Sequence, residues 1–160
     1  MEKESQTFYK MKKIIVDTNI IFSCLLNSQG TIGDLIFNSE RIFDFYSNEY
    51  MLSKIRKHWN RLLRISKLSD AELQVSFDKL LTRLAFINEQ LISENIWQKA
   101  EIIVADIDLD DTDFVALTRY LRGGLWTGDK PIYNGLKAKR FHSVYNTADM
   151  VRLRNRLTRK

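Results

Sequence analysis

Five acidic side chains stand where a folded α/β chain could bring carboxylates together. Asp17 ends the apolar run KKIIV, Asp129 follows the short run LWTG, and Glu49 comes a few residues after the alternating segment RIFDFY. Asp111 and Asp113 lie in DLDDTD, just ahead of an apolar helical pattern. An isolated carboxylate in apolar surroundings is costly to desolvate, so Asp17 in particular must have partners.

A shared carboxylate cluster predicts a bound cation. Two carboxylates 4 Å apart repel by roughly 4 kcal/mol at an effective dielectric of about 20, and either protonation or a cation must relieve that repulsion. Acid oxygens with no nearby His or Cys favour a hard ion, Mg²⁺ or Mn²⁺. Such an ion activates water and neutralises charge on a scissile phosphate, which predicts phosphodiester hydrolysis. The expected metal ligands are Asp17, Asp129, Glu49 and one or more of the acids in DLDDTD, where Asp110, Asp111 and Asp113 are alternatives.

Each acid also has a purely structural interpretation. Asp17, Asp111 or Asp113 could cap a helix and interact with its dipole, and Asp129 in TGDK could be a turn residue. Glu49 is the weakest candidate of the five. The combination of an acid after a buried strand, an acid after a second short strand and an acidic helix start is hard to obtain from capping alone.

Apolar patterns predict the elements that would position these acids. KKIIVD is typical of a buried parallel strand and RIFDFY alternates as a second strand, while LWTGD and FHSVYN supply two short ones. Helical patterns separate the strands, and residues 50–104 form a helical insertion. This alternation predicts an α/β fold, a three-layer α/β/α arrangement around a central parallel sheet. Function gathers at the carboxyl ends of such strands, where the acids fall.

Several helix boundaries follow from the same patterns. The apolar spacing predicts one helix from Tyr50 to about Ile65 and a next one whose apolar stripe runs from Leu73 to Leu84. Thr31 and Thr147 are the expected N-caps of two other helices.

The composition is that of an ordinary globular domain. The chain has 160 residues, 44% of them apolar and 28% charged, which predicts one domain over residues 11–150. Residues 1–10 are expected to be a loose tail and residues 151–160 a basic helix end. The one cysteine, Cys24, excludes a disulfide framework and a Cys-rich zinc site. With no apolar run near 18 residues and no signal core, we expect a cytoplasmic protein that does not enter a membrane.

The net charge of +5 is concentrated in blocks. The segment between Glu49 and Asp70 contains six basic residues and no acid, and the C-terminus RLRNRLTRK is again basic. Such blocks suit a polyanion such as nucleic acid, although a solvated helix face gives the same pattern. The basic residues of the internal block are Lys54, Arg56, Lys57, Arg61, Arg64 and Lys67.

Three motifs together carry a family resemblance. The segments IIVDTNIIFSCLL, DLDDTDFVALTRYL and GGLWTGDKPIYNGL, in this order and spacing, resemble a PIN domain over roughly residues 11–150. PIN domains are small metal-dependent ribonuclease domains, widespread as the toxin half of prokaryotic toxin–antitoxin pairs. The resemblance implies Mg²⁺ or Mn²⁺ as cofactor, RNA as substrate, and an antitoxin protein and a second copy of the chain as partners, the latter through apolar helices in 70–104.

The family's pattern has four acids, and three of them match this chain. The first maps to Asp17 in D-T-N, the third to Asp111 in DDTDFVAL and the fourth to Asp129 in T-G-D. The resemblance gives Asn19 and Thr127 the role of orienting ligands or phosphate.

The second acid of the family pattern is missing. Its position in NEYMLSKI is Lys54, and Glu49 lies five residues earlier. An ammonium group pointing into the cluster would replace part of the cation and lower the metal affinity. Two hypotheses therefore stand. In the first, the chain is a metal-dependent endoribonuclease whose RNA backbone is held by Lys54, Arg56, Lys57 and Arg61. In the second, it is a catalytically weak RNA-binding or protein-binding module with the same fold.

Other enzyme classes with an acid after the first strand fit less well. Haloacid-dehalogenase-type phosphatases need a second Asp where this chain has Asn19, and receiver domains need an acidic pair that the N-terminus lacks. No P-loop motif occurs in the sequence. His58 is expected on a basic helix face and His142 in a strand, so neither suggests a metal pair or a nucleophile triad.

Overall fold

A computed structural model describes residues 10–141 and 143–159 of the chain. The predicted tail therefore lies outside the described residues except for Lys10, which has no regular secondary structure. The interpretation of His142 as a strand residue also lies outside them.

Five short strands form one parallel sheet. Its spatial order is β3-β2-β1-β4-β5, and every neighbouring pair is parallel. The first strand along the chain therefore lies at the centre. The strands are β1 (Lys12–Val16), β2 (Phe43–Asn48), β3 (Leu84–Ile87), β4 (Gly124–Trp126) and β5 (Val144–Tyr145).

Helices connect the strands and cover the sheet, giving the predicted three-layer α/β/α fold. Two short 3₁₀ turns, Glu89–Leu91 and Leu109–Asp111, follow β3 and precede α7. The helices of the described residues are α1 (Thr18–Leu26), α2 (Thr31–Phe37), α3 (Tyr50–Lys57), α4 (Trp59–Ser66), α5 (Asp70–Leu81), α6 (Glu94–Val104), α7 (Thr112–Leu121), α8 (Lys130–Ala138) and α9 (Thr147–Thr158).

Burial of β1 on both faces explains its unbroken apolar sequence. Ile14, Ile15 and Val16 are fully buried, as expected for a central parallel strand covered by helices. Helix α7 packs against β1, β2 and β4, and its Ala116 and Leu117 are also fully buried. The sheet centre and α7 thus form the rigid core beneath the strand ends.

The predicted single helix over residues 50–65 is two helices. The helix is interrupted at His58, whose φ of −100° and ψ of 13° are not helical, and α4 starts at Trp59. The Trp59 ring then packs edge-on against Phe77 of α5, and its Nε1 donates a hydrogen bond of 2.7 Å to Asp70. These tertiary contacts, which involve α5, override the helical pattern along the chain.

The prediction that the next helical stripe reaches Leu84 is also wrong. Helix α5 ends at Leu81, and Leu84 begins β3, where it pairs with Phe45 of β2. The segment 50–104 therefore contains four helices, one strand and one 3₁₀ turn, joined by short loops. The two predicted caps are each displaced by one residue, because Gly30 and Asn146 occupy the N-cap positions and Thr31 and Thr147 begin their helices.

None of the described helices is by itself both long enough and apolar enough to span a membrane. Helices α1 and α2 satisfy both conditions only when they are joined across a bend of 104°. Their inward side chains, including Ile21 and Leu35, are part of the core of the domain.

Four backbone positions in the left-handed region are all occupied by cationic residues. Among the described residues, Arg41, Lys67, Arg122 and Arg140 have φ between 56° and 66°, and no glycine has a positive φ. Lys67 and Arg122 are the C-caps of α4 and α7, a place where glycine is usually favoured. The chain thus accepts backbone strain at helix ends that glycine would relieve.

Replacing Lys67 by Gly is expected to stabilise the protein. A side chain in the left-handed region costs about 1–2 kcal/mol, and glycine loses about 0.5–1 kcal/mol in backbone entropy, so Lys67→Gly should raise the free energy of unfolding by about 0.5–1 kcal/mol. Urea denaturation measures the change. The matched control is Lys99→Gly, at an exposed position inside α6, which should lower the free energy of unfolding by about 1 kcal/mol. A loss of stability in both variants would contradict the assignment of strain to Lys67.

Candidate active site

Two neighbouring strands end side by side at the centre of the sheet. Val16 at the end of β1 pairs with Trp126 at the end of β4, and the Asp17 amide donates to the Trp126 carbonyl at 3.0 Å. Asp17 and Thr127, the next residue of each chain segment, therefore emerge at the same edge of the sheet. Both residues are predicted from the sequence to belong to the site.

Asp17 is a buried carboxylate with several hydrogen-bond donors around it. Only 5% of its surface is exposed. Its Oδ2 accepts a hydrogen bond of 2.6 Å from the Thr127 hydroxyl and a longer one of 3.5 Å from Asn19 Nδ2. Its Oδ1 accepts from the Thr18 amide at the start of α1. Asp17 is thus a helix cap and a member of a long-range cluster at once.

Thr127 and Asn19 hold the loop after β4 against the start of α1. The fully buried Thr127 hydroxyl, besides donating to Asp17, accepts a hydrogen bond of 3.0 Å from the Asp129 amide. The Asn19 side-chain oxygen accepts from the Gly128 amide at 3.1 Å. Asp129 in turn caps α8, accepting from the Ile132 amide. The structure places the predicted orienting pair between the first and fourth acids of the pattern.

Asp111 and Asp113 enter the same edge from the start of α7. Asp113 Oδ1 accepts from the Phe114 amide at 2.8 Å, and its Oδ2 accepts from Asn48 Nδ2 at 2.9 Å. The Asn48 oxygen accepts from the Met51 amide at 3.0 Å. Asn48, which sequence reasoning did not select, therefore fastens the ends of β2, α3 and α7 to one another. Its position as a polar residue just before a helix start was the signal available for it.

The acids influence one another electrostatically. Burial raises the pKa of Asp17, Asp111 and Asp113 above the ordinary value of 3.8. The pKa of Asp111 reaches about 7, first because of burial and then because of the negative charges of Asp17, Asp108, Asp129 and Asp113. The charges of Asp17, Asp113 and Asp129 thus all contribute to the raised pKa of Asp111, although less than its burial does.

Glu49 takes no part in this mutual repulsion. It is exposed at the N-cap of α3 without a side-chain capping bond, and its amide donates to the Ile87 carbonyl. Among the pKa shifts of the described acids, none has the charge of Glu49 as a cause. Its place in a metal shell stays a prediction that the geometry does not strengthen.

Glu89 is an acid of this edge that sequence reasoning missed. It opens the 3₁₀ turn directly after β3 and is half-buried. Its negative charge, after the larger effect of burial, contributes to the raised pKa of Asp113. The signal for Glu89 was its position after the apolar run LAFI, which the helical pattern concealed.

Lys54 lies beside these acids. It is partly buried on α3, with its Nζ 5.1 Å from the centre of the Tyr50 ring. Burial raises the pKa of both Asp113 and Glu89, and the positive charge of Lys54 opposes that rise in each case. We call the edge of the sheet where Asp17, Asp111, Asp113 and Asp129 lie the acidic edge. The charge of the Lys54 ammonium group acts on this edge, as expected from its position in the family pattern.

The other basic residues of α3 and α4 differ in their surroundings. The Arg56 guanidinium lies 4.9 Å from the Trp59 ring and 5.0 Å from the Phe77 ring, and it donates to Gln74 at 3.2 Å. These contacts fix its orientation on the surface. Lys57 and Arg61 are exposed, and neither forms an ion pair with any of the described residues.

The oxygen atoms at this edge are ligands of the kind that a hard divalent cation prefers. They are carboxylate, hydroxyl and amide oxygens. Burial and then repulsion by neighbouring acids raise the pKa of Asp111, and a cation would favour its ionised form. Within residues 10–141 and 143–159, no three Asp, Glu, His or Cys side chains converge tightly enough to enclose a metal by themselves. Mg²⁺ commonly uses only one or two carboxylates together with waters and substrate phosphates, so the arrangement suits an ion that binds with substrate.

The fold and the site together define a three-layer α/β/α domain with an acidic edge at the ends of its central strands. A family model for the PIN domain matches residues 15–151, so the chain belongs to the PIN domain family, whose members are in general ribonucleases. Among solved structures, the fold is similar to a chain in the crystal structure of VapBC2 from Rickettsia felis bound to a DNA fragment from their promoter. The TM-score is 0.59 and the identity 14%, over 84% of this chain and 98% of that one. No curated protein matches the sequence.

Removing the Thr127 hydroxyl is expected to destabilise the site. Thr127→Val keeps the shape but removes the shortest hydrogen bond to Oδ2 of the buried Asp17 and leaves the Asp129 amide without its acceptor, which should lower the free energy of unfolding by about 2 kcal/mol. Thr118→Val is the matched control. Its hydroxyl is also buried, but it donates only to the Phe114 carbonyl within α7, so its loss should cost under about 1 kcal/mol. Urea denaturation that gives equal losses for both variants would contradict the bridging role of Thr127.

The raised pKa of Asp111 predicts a pH-dependent stability. Because its pKa is about 7 in the folded chain and 3.8 as an ordinary value, the native state binds more protons than the unfolded state between these pH values. The contribution of Asp111 to stability is therefore present at low pH and lost as the pH rises toward 7. Asp111→Asn, which cannot ionise, should gain thermal stability relative to the wild type between pH 4.5 and 7.5, measured in EDTA. Parallel profiles of the two proteins would contradict the electrostatic role of Asp111.

Proposed function

We propose that the chain is an endoribonuclease that hydrolyses RNA phosphodiester bonds at the acidic edge, with Mg²⁺ or Mn²⁺ as cofactor. The observation that carries the proposal is the buried Asp17 carboxylate, which shares a hydrogen-bond bridge with the Asp129 loop and an electrostatic neighbourhood with Asp111. Membership of the PIN domain family supports the proposal independently of the site geometry.

In this proposal Asp17, Asp111 and Asp129 hold the cation and Asp113 completes its surroundings. When bound, the ion supplies an activated water and stabilises charge developing on the phosphate. The Asp111 carboxylate is half-buried and accepts no hydrogen bond from the described residues, so it is available to a metal-bound or attacking water. Thr127 and Asn19 keep the two loops in register, which fixes the Asp17 and Asp129 carboxylates relative to each other.

Basic residues would hold the RNA backbone. Lys57 and Arg61 are exposed and Arg56 is oriented by its aromatic neighbours, so basic groups of α3 and α4 are available on the surface, on the helices that follow β2. A net charge of +5 steers a polyanion toward the surface. The affinity of such contacts falls as salt increases, because binding releases counterions from the RNA.

A second candidate function is a binding module with weak catalysis. The observation that favours it is Lys54, whose positive charge acts on Asp113 where the family pattern has an acid. A lower negative charge at the edge would weaken metal binding while leaving RNA binding intact.

A protein partner is the third part of the proposal. The resemblance implies an antitoxin, and the similar solved structure is of a complex named VapBC2. Large apolar side chains in residues 70–104 are exposed, including Val75 at 67%, Leu91 at 64% and Ile102 at 74%. These side chains are available for an antitoxin or for a second copy of the chain.

Conversion of Asp17 to Asn tests the proposal. The variant keeps the side-chain shape but removes the central negative charge, so cleavage of a single-stranded RNA in Mn²⁺ should fall by about 100-fold or more. Asp110→Asn is the matched control. Asp110 is an exposed acid in the same DLDDTD segment, and its charge is not among those that raise the pKa of Asp111, so its loss should leave cleavage close to that of the wild type.

The outcome separates the two candidate functions. Cleavage that is equal in Asp17→Asn and wild type would refute the nuclease proposal at this edge. Salt-sensitive RNA binding by the wild type without any cleavage in Mn²⁺ would favour the binding module instead.

A further inference from the structure

Cationic residues gather at the end of the sheet opposite the acidic edge. Because all five strands are parallel, their starts lie together, away from the carboxyl ends that carry the acids. Each strand starts at, or shortly after, a lysine or an arginine. We call this end of the sheet the basic edge, and its cationic residues are Lys12, Arg41, Arg83, Arg122 and Arg140.

A cavity of about 360 Å³ lies at the basic edge beside β4 and β5. Gly123 and Ser143, which directly precede these two strands, contribute to its lining. Thr127 of the acidic edge follows β4 at its other end, so the length of that strand separates the cavity from the acids. The volume is within the range of about 300–1,000 Å³ that is usual for ligand pockets.

Three cations from two packed helices line this cavity. They are Lys99 of α6, Arg119 of α7 and Arg122, the C-cap of α7. All three are exposed, and none forms an ion pair with any of the described residues. Of the described residues that line the cavity, none is acidic. Positive charges grouped in this way on a concave surface attract an anion, and the guanidinium groups match the geometry of a phosphate.

The end of α7 does not require these arginine side chains as caps. The Arg119 carbonyl accepts a hydrogen bond from the Arg122 amide, and the Thr118 carbonyl accepts one of 3.0 Å from the Gly123 amide. Backbone amides therefore already satisfy the carbonyls that a cationic side chain could otherwise bind at a helix C-terminus. The two guanidinium groups remain available to a ligand.

An aromatic side chain adjoins the cations. Phe141 and Ile96 give the cavity an apolar part of its lining, and the partly buried Phe141 packs against the core of the domain. Proteins that bind single-stranded nucleic acids combine these two features, because cations hold the phosphates while bases stack on aromatic rings. The lining is therefore suited to a nucleotide rather than to a bare anion.

We propose that this cavity is a second nucleic-acid contact, which binds one nucleotide of a single-stranded RNA. Phe141 would hold the base, and Lys99, Arg119 and Arg122 would hold the phosphate. The inference rests on the proposed function only in taking RNA as the ligand. Because the cavity is separated from the acidic edge, it contributes affinity for the RNA and takes no part in the chemistry.

Binding of a fluorescein-labelled single-stranded RNA octamer to the full-length protein tests this inference. Fluorescence anisotropy is measured in EDTA, so that no cleavage occurs. Arg119→Gln should weaken binding by about fivefold and reduce the slope of log K against log salt by about 0.7, the value for one phosphate contact to a single strand. Phe141→Leu should weaken binding by about tenfold, as expected for a lost base stack, and leave that slope unchanged.

Lys79→Gln is the matched control for charge. Lys79 is an exposed cation on α5 whose Nζ lies 4.3 Å from the centre of the Phe37 ring, and it does not line the cavity. Its variant should bind the octamer with the affinity and salt slope of the wild type. Circular dichroism establishes that each variant is folded.

Three results would overturn the inference. They are an unchanged salt slope in Arg119→Gln, an unchanged affinity in Phe141→Leu, and equal losses in Arg119→Gln and Lys79→Gln, which net charge alone would cause. Calorimetric titration with adenosine monophosphate distinguishes the source of the nucleotide. Binding that Arg119→Gln abolishes would show that a free nucleotide also fills the cavity, whereas binding of the octamer alone would assign the cavity to a strand. Because no cleavage is measured, failure of this inference leaves the nuclease proposal standing, and the reverse also holds.

Discussion

One hydrogen bond between two buried groups organises the acidic edge. The Thr127 hydroxyl reaches the Asp17 carboxylate at 2.6 Å although 110 positions separate them in the chain. The bond is available because β1 and β4 are neighbours that end at the same level of the sheet. It fixes where the first acid points, and the second bond of that hydroxyl fixes where the loop to Asp129 runs. The remaining acids are arranged around this pair.

The same acids stand at helix N-caps and at the acidic edge, so the structural and the functional interpretations apply to them together. Asp17, Asp111 and Asp129 occupy the N-cap positions of α1, α7 and α8, so three helix N-termini begin at the acidic edge. The positive end of each helix dipole stabilises nearby negative charge. Asp17 and Asp129 accept hydrogen bonds from amides at these helix starts, whereas Asp111 accepts none from the described residues. Burial, followed by repulsion from the neighbouring acids, raises the pKa of Asp111 to about 7.

Local patterns were sufficient to predict most of the sheet and the main acids. The strand β1, the helix after it and the acid between them all follow from one apolar run, and the D-T-N and T-G-D motifs supplied Asp17 and Asp129. The pattern failed at Leu84, because a four-residue strand after a helix carries no glycine or proline to mark the change, and only its pairing with β2 decides the structure. Glu89 was missed for the same reason. Asn48 was missed because its role depends on Asp113, which is remote in sequence.

The four cationic residues in left-handed turns link the rigidity of the scaffold to its surface potential. Substitution by glycine at these turns would relieve backbone strain and favour heat tolerance, but each substitution would remove one positive charge. Glycine at all four positions, Arg41, Lys67, Arg122 and Arg140, would change the net charge from +5 to +1. Long-range attraction of a polyanion weakens with that charge. A homologue adapted to high temperature that still needs this attraction would therefore have to regain its lysines and arginines on helix faces, where they cost no strain.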